Sequence, residues 1–258
     1  MAQIIASIDE GSVNEIFVRT YNAWPAMGLP SISANQSIGS GVFSAGLSLS
    51  IDSQAVTQHL TTGAHPIDLR NTGNTPPIAY SGLGWRVHSN VQGNLRVGGA
   101  SLAFGLSFDT DVVLSGGAQV SAPHVGSNFL AQLQLTVGDF ALSFAANRAA
   151  VVSAASGAAS QVDVNPRLPG TQHLPQAVIN AVGDGAGLLF DQLAPAAADA
   201  ARQLIRSRLN ALQLQLTSSI PDSYAVQIPG TSQSIALHLQ TLQIAVGGER
   251  VTLTVTFA

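Results

Sequence analysis

The sequence predicts an α+β fold in which a curved antiparallel β-sheet wraps a long C-terminal helix, within a single domain spanning residues 1–258. Three observations predict it. A short strand runs into a helix over residues 1–30, apolar residues alternate over 42–146, and the period switches to helical over 175–216 before strands return at 224–258. Runs of strands and runs of helices, rather than strict alternation of the two, mark the α+β class.

"QIIASI" (residues 3–8) reads as the opening strand. Val13, Ile16, Phe17, Tyr21 and Trp24 then fall at i, i+3, i+4 spacing, one face of a helix. Ser12 and Glu15 of "SVNE" fit a capping box at its start, and Pro25 and Gly28 stop it. In "FSAGLSLSI" the residues Phe43, Ala45, Leu47, Leu49 and Ile51 alternate with Ser and Gly, as in a half-buried strand. Residues 52–82, punctuated by Pro66, Pro76 and Pro77, read as a loop with one helical turn near Ala55–Leu60. Alternation resumes at Trp85, Val87 and Val91, with a turn expected near Gly93–Asn94, and continues through Leu102, Phe104, Leu106 and Phe108.

In "QLQLTVGDFALSF" (132–144) the apolar positions change phase, from Leu133, Leu135 and Val137 to Phe140, Leu142 and Phe144. A two-residue turn at Gly138–Asp139 predicts a hairpin with all six on one face. Residues 147–170, ending in "NPRLPG", read as a connector. The helical stripe that follows carries Val182, Leu189, Phe190, Leu193, Leu204 and Leu209. Gly183, Gly185, Gly187 and Pro195 predict a kink or a break in it. The closing strands are Tyr224–Ile228, Ile235–Val246 and Val251–Phe257, with "GGER" joining the last two.

Composition narrows function. The chain is 46% hydrophobic but only 9% charged, its formal net charge is −4, and all ten basic residues are arginines. Without a basic cluster it lacks the footprint of a nucleic-acid binder or of a protein drawn to anionic membranes. It has no cysteine, so disulfides, thiolate metal sites and a Cys nucleophile are excluded. No apolar run is long enough for a transmembrane helix. Nor does the opening segment read as a signal peptide, so the expected location is cytoplasmic, or outside the cell by signal-independent export.

Chemistry-bearing motifs are sparse. "GDGAG" (183–187) follows no strand and so is no dinucleotide loop. Six scattered histidines show no metal-ligand spacing, and no cofactor is implied. Asp109 and Asp111 fall on one side of a strand end, and with His124 they form the sole acid–base grouping on offer. A solvated turn is the plainer account of the pair, and the chain reads as non-enzymatic.

What the one apolar sheet face covers is therefore the functional question. If the helix does not fill the tube it encloses, the gap suits acyl chains. The candidate lipid-contacting residues are Leu47, Leu49, Phe104, Leu106, Leu133, Leu135, Phe140 and Leu142 from strands, with Phe190, Leu193 and Leu204 from the helix. A second reading is a closed core in a structural or interaction subunit of a toxin or secretion-associated assembly, acting through a protein partner or as a homo-oligomer.

The opening "IIASIDEGSVNEIFVRTYNA" resembles the start of the tubular lipid-binding superfamily, especially its bacterial members, at Ile8, Asp9, Glu10, Val13, Asn14 and Tyr21. The resemblance implies a groove between helix and sheet that holds a lipid or fatty-acid-like ligand without catalysis. The disulfide and cationic tip of the animal members have no counterpart here.

Overall fold

A computed structural model describes residues 2–40, 43–61, 63, 65–70, 76–97, 100–162, 173–215, 218–227, 229–230 and 232–258. The predicted class holds: strongly curled antiparallel sheets, a strand–helix opening and one long C-terminal helix. The strands form two sheets rather than one extended sheet.

The opening strand β1 (Ala2–Asp9) runs directly into α1 (Glu10–Asn22). The helix starts earlier than the "SVNE" box predicts. Asp9 is the N-cap, its carboxylate accepting the Ser12 N–H at 2.7 Å, which leaves Ser12 inside the first turn.

Strands β2 (Ile32–Ser40), β3 (Phe43–Leu60), β5 (Ile78–Val97), β6 (Ala100–Ser121) and β8 (Asn128–Val137) pair in that order. Three short strands flank them: β4 (Ile67–Leu69) beside β5, and β7 (His124–Val125) and β9 (Ser218–Pro221) beside β8. Of residues 52–82, expected as a loop with a helical turn near Ala55–Leu60, 52–60 are instead the second half of β3, 67–69 are β4 and 78–82 open β5. A β-bulge between Ser53 and Ala55 shifts the inward phase from Ile51 to Val56, so the strand does not look like one in the sequence. Neither is there a turn at Gly93–Asn94, since β5 runs straight through both. Gly93 is required because the Phe104 ring lies where its side chain would be.

The hairpin expected at Gly138–Asp139 does not form. The Gly138 N–H donates to Ser115 O at 3.1 Å, so the chain leaves along β6 without turning back. Residues 138–144 join no ladder, although Leu142 and Phe144 are buried. Next comes α2 (Arg148–Ser160), where a connector was expected; its alanines favour helix, and Val151, Ala155, Ala158 and Ala159 form its buried stripe. The "NPRLPG" segment lies outside the described residues.

The long helix α3 (Gln176–Gln215) is uninterrupted, with Pro195 inside it. At 1.5 Å per residue it is about 60 Å long. Leu189, Phe190, Leu193, Ala194, Ala197, Ala198 and Ala201 are buried on both sides of Pro195. That packing holds the helix together against a proline cost of about 3 kcal/mol. Its glycines seat it closely: Gly183 lies against Ser156 and Val152 of α2, and Gly187 against Arg148 and Val152.

The second sheet has the order β1, β12 (Arg250–Phe257), β11 (Ser234–Val246) and β10 (Ser223–Gln227). "GGER" closes its last hairpin with Val246 opposite Val251, as the sequence predicts. Gly248 and Glu249 both have φ of 61°, the two left-handed positions of a type I′ turn. Ile228 lies outside the described residues. Among them, no helix is long and apolar enough to cross a membrane.

Candidate ligand cavity

Helix α1 is moored at its polar positions. Buried Asn14 acts as an added strand residue at β4: its Nδ2 donates to Ile67 O at 2.9 Å, and its Oδ1 accepts the Ile67 N–H at 2.8 Å. One turn earlier, the Glu10 carboxylate accepts the Leu69 N–H at 2.8 Å. Fully buried Tyr21 donates its hydroxyl to Gly84 O at 2.9 Å, and its ring joins those of Phe17, Trp24 and Trp85. Asp9, Glu10, Asn14 and Tyr21, four of the residues that carry the family resemblance, thus cap α1 and tie it to β4 and β5.

Moored this way, α1 roofs an apolar cavity of about 260 Å³ where the two sheets meet. Its floor is Ile78, Tyr80 and Leu83 of β5, Ala118 and Val120 of β6, and Leu133 and Leu135 of β8. Val13, Ile16, Phe17 and Thr20 of α1 form the roof, and Ile67, Leu209 and Val251 close the sides. Ile16 is 55% exposed while lining the cavity, which places the mouth on α1.

Both hydroxyls in the lining are already engaged. Thr20 Oγ1 donates to Ile16 O at 2.9 Å. The Tyr80 hydroxyl crosses over Gly116 to donate to Thr136 O at 3.1 Å, and a side chain on Gly116 would collide with it. Burial pushes the Tyr80 phenol up to about 12. Among the described residues no lining side chain carries a polar group without a partner, so the cavity presents an apolar wall.

Of the eleven candidate lipid-contacting residues, Leu133 and Leu135 line this cavity. The other nine do not. Leu47, Leu49, Leu142, Phe190 and Leu193 are buried in the core, with Phe104, Leu106, Phe140 and Leu204 packed partly buried against it. Phe190 meets Phe108, which in turn meets Phe144, so rings pack between α3 and the large sheet. The other twelve lining residues, the four of α1 among them, are not among the sequence candidates. Val13, Ile16 and Phe17 stood out as an apolar stripe, but the stripe alone does not say that it roofs a void.

The acid–base grouping is not assembled. Arg86 holds Asp111 with two hydrogen bonds of 2.8 Å, keeping that carboxyl below its ordinary range. His88 Nδ1 pairs with Asp109 at 2.6 Å, whereas His124 pairs with Asp222 at 3.1 Å. Asp111 and His124 are separated by the last ten residues of β6, roughly 33 Å of strand. The two aspartates stand mid-strand on the exposed face of β5 and β6, in cross-strand pairs, not at a turn. Among the described residues no group of three or more His, Asp or Glu is arranged to hold a metal ion.

No family model, curated protein or solved structure matches this chain.

Proposed function

We propose that this chain binds a lipid or lipid-like molecule without chemically altering it, seating an apolar chain in the cavity beneath α1. The observation that carries the reading is the cavity itself: about 260 Å³, open at Ile16 and lined by side chains with no free polar group. Each methylene moved out of water contributes about 0.8 kcal/mol, so an acyl chain is held there without a charged partner. The ligand's polar end stays at the mouth, beside the exposed side of α1. The resemblance of residues 4–23 to the tubular lipid-binding superfamily points the same way, although the cavity lies under the first helix rather than along the third.

Titration with a fluorescent polyene fatty acid tests the reading. Saturable binding is expected, weakened about tenfold, ~1.4 kcal/mol, when Ala118→Leu fills the floor or Ile16→Trp blocks the mouth. Far-UV circular dichroism shows that each variant is folded. Probe binding that is absent from the parent chain, or untouched by both variants, sinks the proposal.

A further inference from the structure

We propose that two copies of this chain associate through β1, edge to edge and antiparallel, about a two-fold axis centred on Ile5. β1 is the outer strand of the four-stranded sheet, hydrogen-bonded to β12 on one side, and every residue from Ala2 to Asp9 is exposed. Natural edge strands are blunted by Lys, Pro, bulges or shortness. β1 has eight residues in unbroken register with β12 and neither Lys nor Pro. It also bares aliphatic residues on both faces, Ile4 at 57% and Ile5 at 64% exposure. The outer strand of the large sheet, β2, differs: over residues 32–38 its exposed positions are Ser33, Asn35 and Ser37.

The hydrogen-bond pattern fixes the register of the pair. The Glu10 N–H donates to Glu249 O at 3.0 Å, and the register then runs unshifted to Ala2. Antiparallel alternation gives the backbone groups of Ile8, Ala6, Ile4 and Ala2 to β12 and turns those of Ser7, Ile5 and Gln3 toward the open edge. Pairing centred on Ile5 sets Ile5 against Ile5 of the second copy and Gln3 against Ser7. The outward groups of Ser7, Ile5 and Gln3 are all used, about six hydrogen bonds in all.

The side chains agree with this register. On the face shared with Val251, Leu253 and Val255, each copy sets Ile4 beside Ala6 of the other and Ile8 beside Ala2, large against small. Asp9, the one charged residue of β1, lies beyond the paired stretch, so like charges do not oppose each other. The result is an isologous contact that closes at two copies and joins two four-stranded sheets into one.

Light scattering on the eluting protein should give twice 26.4 kDa for the parent chain and 26.4 kDa for Ile5→Lys, whose exposed position leaves folding intact. Because the chain has no cysteine, crosslinking then reads the register. Ile5→Cys should form a disulfide-linked pair on mild oxidation, while Gln3→Cys, four residues from its own counterpart, should not. A parent chain that remains a single copy, a dimer that survives Ile5→Lys, or equal crosslinking of the two cysteine variants overturns the proposal.

Discussion

The seam where α2 and α3 lie on the large sheet and the corner where α1 roofs the two sheets are built by opposite means. In the seam small residues bring helices into contact: a side chain on Gly183 or Gly187 would collide with α2, and ring centroids stand 5.6 Å apart at Phe108–Phe144. In the corner α1 is tied by hydrogen bonds of Glu10, Asn14 and Tyr21 and by the Tyr21 ring on Trp85, while Val13, Ile16 and Phe17 line a void. Interdigitated side chains leave little volume, whereas α1, fixed at Asn14 and Tyr21, leaves a cavity between itself and the sheet. Apolar residues in both regions face inward, so burial alone does not tell a wall from a ligand site.

The largest effect separates the two regions outright. Phe190 is fully buried in the seam, and Phe190→Ala should cost about 4 kcal/mol in urea unfolding. Where the variant is still folded, its affinity for the fluorescent fatty acid should match that of the parent. Loss of binding with the fold intact would show that seam and cavity are one site.

That separation marks the limit of what was legible in the sequence. The strand–helix opening, the one-faced meander, the long helix and the final hairpin follow from periodicity, because side-chain direction alternates in strands and recurs every 3.6 residues in helices. The errors have local causes. One bulge at Ser53–Ala55 reversed the phase of β3, Gly93 serves ring packing rather than a turn, and Gly138 bonds back to Ser115. Ala-rich α2 lacks the strong amphipathic stripe that would have set it apart from a connector. As for the site, Leu133 and Leu135 were found because strand alternation shows which residues face inward. The void was not, since it depends on where α1 docks, and the two bonds of Asn14 to Ile67 span 53 residues of chain.

A smaller effect tests the mooring itself. Asn14→Ala removes both partners of the Ile67 backbone groups and should cost about 3 kcal/mol, near the cost of leaving a buried donor and acceptor unmade. Amide exchange should quicken at Ile67 and along α1 but not along α3, and fatty-acid affinity should fall with it. Unchanged protection at Ile67 would mean that α1 is held by its apolar face, which would erase the contrast between the two regions.

The smallest effect is a matter of pH. Tyr80→Phe deletes one hydrogen bond to Thr136 O, about 1 kcal/mol near neutrality. The phenol is raised to about 12 in the folded chain, against about 10 when unfolded. The sign follows from linkage. Below pH 10 both states hold the proton and stability is flat; between 10 and 12 the unfolded chain releases it first, so stability falls as pH rises. Burial raises Tyr21 in the same direction. The chain has no lysine and three tyrosines, so little besides phenols titrates in that window. Urea midpoints measured from pH 8 to 12 should therefore fall less steeply in Tyr80→Phe than in the parent. Equal slopes would mean that the phenol is solvated, and that the cavity floor it lies on is as wet as the surface rather than an apolar seat for a ligand.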